Sequence, residues 1–361
     1  MLIFCFQKGQ AMEDIYISKK RKTSAPFEVH ILDEEPLPQP PEQEPQKPKK
    51  KKKHRFVKFI AFILAAVILF ASAFIFMFAS VSGYTRNDLE ANSYVSSASL
   101  KSNPLVSNIL LLGVDGSADS SSRSDSMILV SVDCLHGKIK LTSFLRDSWV
   151  YIPSKERNGK LNSACTYGGP QLVIDTLEYN FGVDIDHYVM VDFEMFTQII
   201  DSLGGVEVEV TEKEAKFINK TTRHTVESGE KVHLDGAKAL VYCRIRKLDS
   251  DYMRTYRQRK VITALIGQAK DAGVSKLVST MKDVFPLIET DMSPAEITGL
   301  AYKGGFGILA FDIEQNRVPI DEHMTPDTIN GQWVEAVDIE ATAEYLQEYI
   351  YTNNIKLDED N

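Results

Sequence analysis

The sequence predicts a layered domain of intermingled strands and helices, α/β or α+β, held behind one membrane-spanning helix. Three observations carry that expectation. Phe59 to Val81 is a run of 23 residues without a charge, which at roughly 1.5 Å per residue is long enough to cross a hydrocarbon core of about 30 Å. Asn108–Val114, NILLLGV, is apolar at almost every position, as a central strand buried on both faces should be. Beyond it, period-2 and period-3.6 stretches alternate along the chain, which suits a sheet covered by helices.

The N-terminal elements set the topology. Residues 1–46 are polar and rich in Pro and Glu, so disorder is expected there. Met12 is an alternative start. Lys47 to Lys58 carries eight basic residues, including the run Lys49–Lys53. Residues 1–58 therefore read as a basic cytoplasmic tail and 59–82 as the span, because positive charge stays on the cytoplasmic side. A cleaved signal peptide would have a shorter leader and an apolar region of roughly 7–15 residues. The lysines also suit anionic lipid headgroups. Residues 83–104, rich in Ser and Asn, read as an extracellular stalk.

The domain proper is expected over 105–353. Its first strand stops at Asp115. The acidic loop that follows, DGSADSSSRSDS, lacks the sixth-position Gly and twelfth-position Glu of an EF-hand. Met127–Val132 and Lys138–Ser143, joined around His136-Gly137, predict a hairpin. That hairpin brings Asp125, ahead of its first strand, beside Arg146 and Asp147, after its second. Asp115 reaches the same edge if the preceding strand feeds the hairpin through its loop. Two carboxylates and an arginine at one sheet end suit a hard cation with a phosphate partner. Mg²⁺ takes one or two carboxylates and completes its octahedron with phosphate and water. Turn and capping chemistry is the competing use of Asp115 and Asp125.

Pro170–Phe181 and Asp192–Leu203 read as amphipathic helices, the second with Phe196, Ile199, Ile200 and Leu203 on its apolar face. On the residues alone those four are core. Gly204-Gly205 ends that helix and VEVEV is a half-buried strand. Val241 to Arg246 alternates as well, so a strand is expected, with Arg244 and Arg246 on one face. After a turn at Leu248-Asp249-Ser250, Asp251 to about Gln268 reads as a helix. At ~100° per residue Asp251, Arg254 and Gln258 share a face, with Arg257 about 60° away. Four arginines converging from two elements repel unless an anion joins them. Guanidinium forks and a helix N-terminus suit phosphate oxygens. A solvated basic face with local acidic partners is the plainer alternative. Asp251 could equally be the cap of its helix. Ser293-Pro294-Ala295-Glu296 is a capping box opening another helix. Glu340–Tyr351 is the last helix, and 354–361 an acidic tail.

Charge narrows the function classes. The chain has 41 basic and 50 acidic residues, of which 13 and 8 lie in 1–58, leaving 28 and 42 beyond it. An acidic main body argues against a nucleic-acid binder. The four cysteines, Cys5, Cys134, Cys165 and Cys243, form no disulfide framework; the three beyond the span read as small buried hydrophobes with no more than one possible pair. None of the seven histidines sits in a motif pairing it with a Ser or Cys nucleophile.

The blocks NILLLGVD, RSDSMILVSVD, SFLRDSWVYIP, KLNSACTYGG, DFEMFTQIIDSLGGVEVEV, HLDGAKALVYCRIR, DYMRTYRQR and TDMSPAEI together resemble the LytR–CpsA–Psr family, membrane-anchored glycopolymer transferases of bacterial cell walls. The resemblance covers roughly residues 105–352. It implies a three-layer α/β/α fold with a mixed central sheet that holds a polyprenyl chain between sheet and helices. It implies Mg²⁺, with Mn²⁺ as an alternative, on Asp115 and Asp125. Around the pyrophosphate it implies Arg123, Arg146, Arg244, Arg246, Arg254 and Gln258, with Arg257 in support. Phe196, Ile199, Ile200 and Leu203 then become lipid-pocket candidates. The implied reaction moves a phosphoglycopolymer, whether teichoic acid, capsule or another anionic polymer, from an undecaprenyl-pyrophosphate carrier to a peptidoglycan hydroxyl. Arg146, Arg244 and Arg246 would stabilise the transferring phosphate, and Asp147 or Asp251 would deprotonate the acceptor. Two departures stand out. Leu145 precedes Arg146 where the family commonly has Pro, and Gly116-Ser117 follows Asp115 where an Arg is frequent. A polyprenyl-pyrophosphate hydrolase and a non-catalytic lipid-carrier-binding regulator are the other classes the same residues would serve.

Overall fold

The computed structural model describes residues 84–115, 123–271, 279, 282–297, 299 and 311–355. The expected tail 1–58, the expected span 59–82 and most of the acidic tail lie outside the described residues. Among the described residues no helix is long and apolar enough to cross a membrane.

A seven-stranded mixed sheet organises the domain. Its strands are β1 (Thr85–Arg86), β2 (Val106–Val114), β3 (Ser124–Asp133), β4 (Lys138–Phe144), β7 (His187–Asp192), β10 (Glu289–Thr290) and β11 (Asp312–Val318). They lie in the order β1-β10-β7-β2-β3-β4-β11. β2 is central, as its apolar run requires, parallel to β7 and antiparallel to β3. β3 and β4 form the expected hairpin. Four more strands make a second sheet in the order β12-β13-β5-β6: β5 (Ser148–Ile152), β6 (Arg157–Lys160), β12 (Met324–Ile329) and β13 (Gln332–Val337). β8 (Val206–Val210) and β9 (Gly229–Leu234) pair separately.

Helices cover both faces of the main sheet. They are α1 (Ser163–Phe181), α2 (Phe193–Ser202), α3 (Glu212–Thr222), α4 (Gly236–Cys243), α5 (Asp251–Asp271) and α6 (Ile339–Tyr351). Because side chains alternate along a strand, Leu110, Leu112, Met127 and Leu129 face one way and meet Leu172, Leu177, Leu346 and Ile350 of α1 and α6. Leu111, Ile128 and Val130 face the other way and meet Ile262 and Ile266 of α5. The layers are thus helix, sheet, helix. A third core joins Ile200, the inward side chains of β8, and α3, α4 and Val261 of α5.

Two expectations need correction. Residues 84–104, expected as a stalk, lie against the domain: β1 pairs with β10, and the Asn92 amide donates to Glu178 at 2.8 Å. Val241–Arg246 is not a strand. The Asp235 side chain caps α4 by accepting from Lys238 N at 2.9 Å, and the good helix formers Ala237 to Leu240 carry the helix through Cys243. Three alternating pairs are too few to distinguish strand from helix once a cap lies upstream. Arg244 and Arg246 follow the helix end instead of standing side by side on a strand.

Candidate anion site at the end of the sheet

The hairpin and α5 bring the charged residues together at the end of β2, the start of β3 and the end of β4. Val114 pairs with Ser124, and Asp115 N donates to Arg123 O at 3.3 Å, so Asp115, Arg123 and Asp125 share one edge. Arg146 Nη1 donates to Asp125 Oδ1 at 2.8 Å. Its Nε lies 3.3 Å from Asp147 and 3.6 Å from Asp251. Asp147 is held from its other side by Lys160 Nζ at 2.7 Å.

Asp251 is the hub. Ser250 takes the capping position, its Oγ accepting from Met253 N at 3.3 Å, which leaves the Asp251 carboxylate to face cations. Arg254 Nη2 donates to Asp251 at 3.0 Å and to Asp125 O at 2.9 Å, and Arg246 Nε stands 3.5 Å from Asp251. Three guanidiniums from three segments therefore share one carboxylate. Burial opposes the charge on Arg146, but Asp251, Asp125 and Asp147 more than offset it, so its pKa is raised. Arg254 is 3% exposed, and burial with Arg146 and Arg246 nearby lowers its pKa. Arg246 remains open, its side chain 47% exposed.

The remaining sequence candidates divide. Gln258 Oε1 accepts from Ser126 Oγ at 3.0 Å, tying α5 to the start of β3. Arg244 lies over the Phe193 ring at 4.2 Å, at the start of α2, and is exposed. Arg257 does not belong to the anion site. It is 2% exposed and donates to Glu214 at 2.6 Å, to Ile245 O at 3.2 Å and to Asp249. Its 60° offset from Arg254 turns it into the joint between α3, the α4–α5 connection and α5. Ile200 is fully buried with Val206 and Val208 in the core shared by β8, α3 and α4. Phe196 packs on that core, Ile199 packs on Phe285, Ile288 and Met292, and Leu203 is half-buried.

Two cations escaped the sequence reading. Lys160 arrives through the β5–β6 hairpin, a long-range pairing without a local signal. Arg259 projects from α5 into the sheet, where Nη1 donates to Ser143 Oγ at 2.8 Å and burial pushes its pKa down to about 10. Its place in the RQR triplet, next to Gln258, was the available signal. Cys165 and Cys243 are buried, and desolvation pushes their thiols up to about 11 and about 12, which suits inert core thiols rather than nucleophiles.

The donor set at Asp115 and Asp125 fits a hard cation that takes most of its ligands from elsewhere. Two carboxylates stand at adjacent strand ends, and no larger group of His, Cys, Asp and Glu suited to a metal occurs among the described residues. A Mg²⁺ held there would take its other oxygens from phosphate and water.

The sequence model of the LytR_cpsA_psr family matches residues 73–349. The chain belongs to this family. A Halalkalibacterium halodurans relative, "Polyisoprenyl-teichoic acid--peptidoglycan teichoic acid transferase TagU", is 36% identical over 189 residues, 51% of this chain and 60% of its own. The Bacillus subtilis protein of the same name is 30% identical over 246 residues, 67% of this chain and 76% of its own. The chain thus spans three fifths of the first relative and three quarters of the second. A solved structure described as "TagT bound to LI-WTA" superposes with a TM-score of 0.60 at 25% identity, over 73% of this chain and 98% of that one. The mixed α/β fold of this LytR-CpsA-Psr protein is therefore that of known members.

Proposed function

We propose that this LytR-CpsA-Psr protein transfers a phosphoglycopolymer from an undecaprenyl-pyrophosphate carrier to a peptidoglycan hydroxyl and releases undecaprenyl phosphate. The observation that carries the reading is the convergence of Arg146, Arg246 and Arg254 on the single carboxylate of Asp251. With Lys160 on Asp147, four cations face the three carboxylates Asp125, Asp147 and Asp251, and a diphosphate would take up the remaining positive charge. The relatives' names, which join a polyisoprenyl-linked teichoic acid to peptidoglycan, support the choice of donor and acceptor.

The chemistry follows from the charges. Phosphoryl transfer places negative charge on the equatorial oxygens and the leaving group, and catalysis is largely positioning and neutralisation. Arg146 and Arg254, fixed by Asp125 and Asp251, are preorganised for the bridging and terminal oxygens. Arg246, the exposed one, is placed to meet the donor first. Mg²⁺ held by Asp115 and Asp125 would add further charge neutralisation at the diphosphate. The apolar side of α2 around Phe196, Ile199 and Leu203 is the candidate wall for the lipid tail. The lysine-flanked segment 59–82 would anchor the chain in the cell membrane with this domain outside, where the acceptor lies.

Incubation with a lipid-linked glycopolymer labelled in its sugar tests the reading. Label on peptidoglycan, dependent on Mg²⁺ and lost on chelation, is the expected result. Free phosphorylated sugar would make the protein a hydrolase, and unchanged substrate a binding protein.

A further inference from the structure

β13 runs parallel to β5 with Glu335 opposite Ser148, and Glu335 N donates to Asp147 O at 3.0 Å. The second sheet thereby brings one more acidic side chain to the arginine cluster, beside Asp147 and Asp251. Asp147 is already committed to Lys160 and Arg146, and Asp251 to three arginines. Glu335 differs. Its carboxylate makes no hydrogen bond or ion pair with the described residues, and Oε2 is buried without a partner. The charged groups around it are Asp147 before β5, Asp251 at the start of α5, Arg317 on β11 and Asp321 beyond it. Arg317 is itself engaged, donating to Pro319 O at 2.7 Å and pairing with Asp321 at 3.0 Å. Two residues along the same strand, and so on the same face, Trp333 is 50% exposed while Val334 between them is fully buried.

We propose that this face of β13 is the acceptor subsite: Trp333 receives the sugar ring and Glu335 takes the proton of the attacking hydroxyl. The inference rests on the transfer reading above. In the step, the hydroxyl oxygen forms a bond to the polymer-bearing phosphorus. The bond from that phosphorus to the bridging oxygen breaks, its electron pair departs with undecaprenyl phosphate, and the hydroxyl proton passes to the Glu335 carboxylate. Burial raises the pKa of Glu335, with Asp147 and Asp251 adding to the effect and Arg317 opposing it. A general base works best with a pKa near the working pH, and a raised carboxylate moves in that direction. The indole presents a flat apolar face at low conformational cost, suited to the C–H face of a pyranose.

The test uses the full chain in detergent, a labelled undecaprenyl-pyrophosphate-linked polymer as donor and a soluble peptidoglycan oligosaccharide as acceptor. Glu335→Gln should lower kcat at least ~100-fold, leave the donor KM unchanged, and remove the acid limb of the kcat–pH profile. Trp333→Ala should raise the acceptor KM several-fold with kcat nearly unchanged. Wild-type kcat in Glu335→Gln, a retained acid limb, or a change confined to donor KM would overturn the assignment while leaving transfer intact. A wild type that releases label to water and never to the oligosaccharide would overturn the transfer reading, and the acceptor subsite with it.

Discussion

At the residue scale, arginines of similar appearance in the sequence do different work, and burial separates them. Arg246 is exposed and, among the described residues, pairs with Asp251, whereas Arg254 is buried and bridges Asp251 to the backbone of Asp125. Arg246→Ala should therefore lower turnover by roughly 10²–10³-fold, as removal of one preorganised donor does, with stability changed by no more than about 0.5 kcal/mol. Arg254→Ala should lose turnover and also about 2 kcal/mol. That is below the roughly 3–5 kcal/mol of a fully buried pair because Asp251 keeps Arg146 and Arg246. Steady-state kinetics beside chemical denaturation reads both, and equal stability losses in the two variants would refute the distinction. The members of the anion cluster were legible as a group because one helix face carries Asp251 and Arg254 and one hairpin carries Asp125 and Arg146. The separate fate of Arg257 was not. It is decided by Glu214, 43 residues away on α3.

At the scale of elements, strands were readable from their apolar pattern, over nine residues in β2 and five in β8, and a cap marked a helix start, as at Ser293. The Ser293 N–H donates to Glu296 at 2.7 Å, and Ser293 Oγ accepts from Glu296 N at 3.3 Å. Val241–Arg246 alternates over only six residues, and the Asp235 cap upstream decides for a helix. The second sheet went unread because β12 is largely exposed and shows no apolar alternation. Glu335 went with it. One join between elements is pH-dependent. His187 opens β7 and its Nδ1 lies 2.7 Å from Asp291, just past β10, while Tyr188 N donates to the same carboxylate at 2.8 Å. Burial opposes protonation of His187, but the Asp291 hydrogen bond and charge outweigh it, so its pKa is raised above 6.5. The folded state then binds the proton more tightly than the unfolded chain. The stabilisation is full below pH 6.5 and disappears as pH rises through the elevated folded value. Wild type should lose more stability than His187→Gln between pH 6 and pH 8.5. Identical pH dependence in denaturant melts would rule the contact out as its source.

At the scale of the whole molecule, the main sheet is polar at both ends, and the two ends serve different purposes. One end gathers the anion site. The other holds Asp133 at the close of β3, and from β4 the side chain of Lys140 points into the interior with 1% exposure. Its ammonium donates to the carbonyls of Tyr349, Ile350 and Thr352 at 2.8, 2.9 and 3.1 Å, and lies 3.1 Å from Asp133. A cation at the C-terminus of α6 meets both the unsatisfied carbonyls and the negative end of the helix dipole. Lys140 therefore locks α6 to the central hairpin across more than 200 residues. Nothing in KIKLTS distinguishes a buried lysine from a solvated one, since its partners come from the far end of the sequence. Lys140→Met keeps the length and removes the charge, taking the ammonium from three carbonyls and leaving Asp133 with His136 and the backbone N–H groups of Leu135 and His136. It should cost about 3–5 kcal/mol. Because the site lies at the opposite end of the sheet, kcat per folded molecule should stay at the wild-type level. Denaturation midpoints at unchanged slope would measure the first quantity, and single-turnover transfer below the melting range the second. A loss under about 1 kcal/mol would mean that water replaces the ammonium. Lost turnover in protein that is still folded would mean that the two ends of the sheet are mechanically coupled.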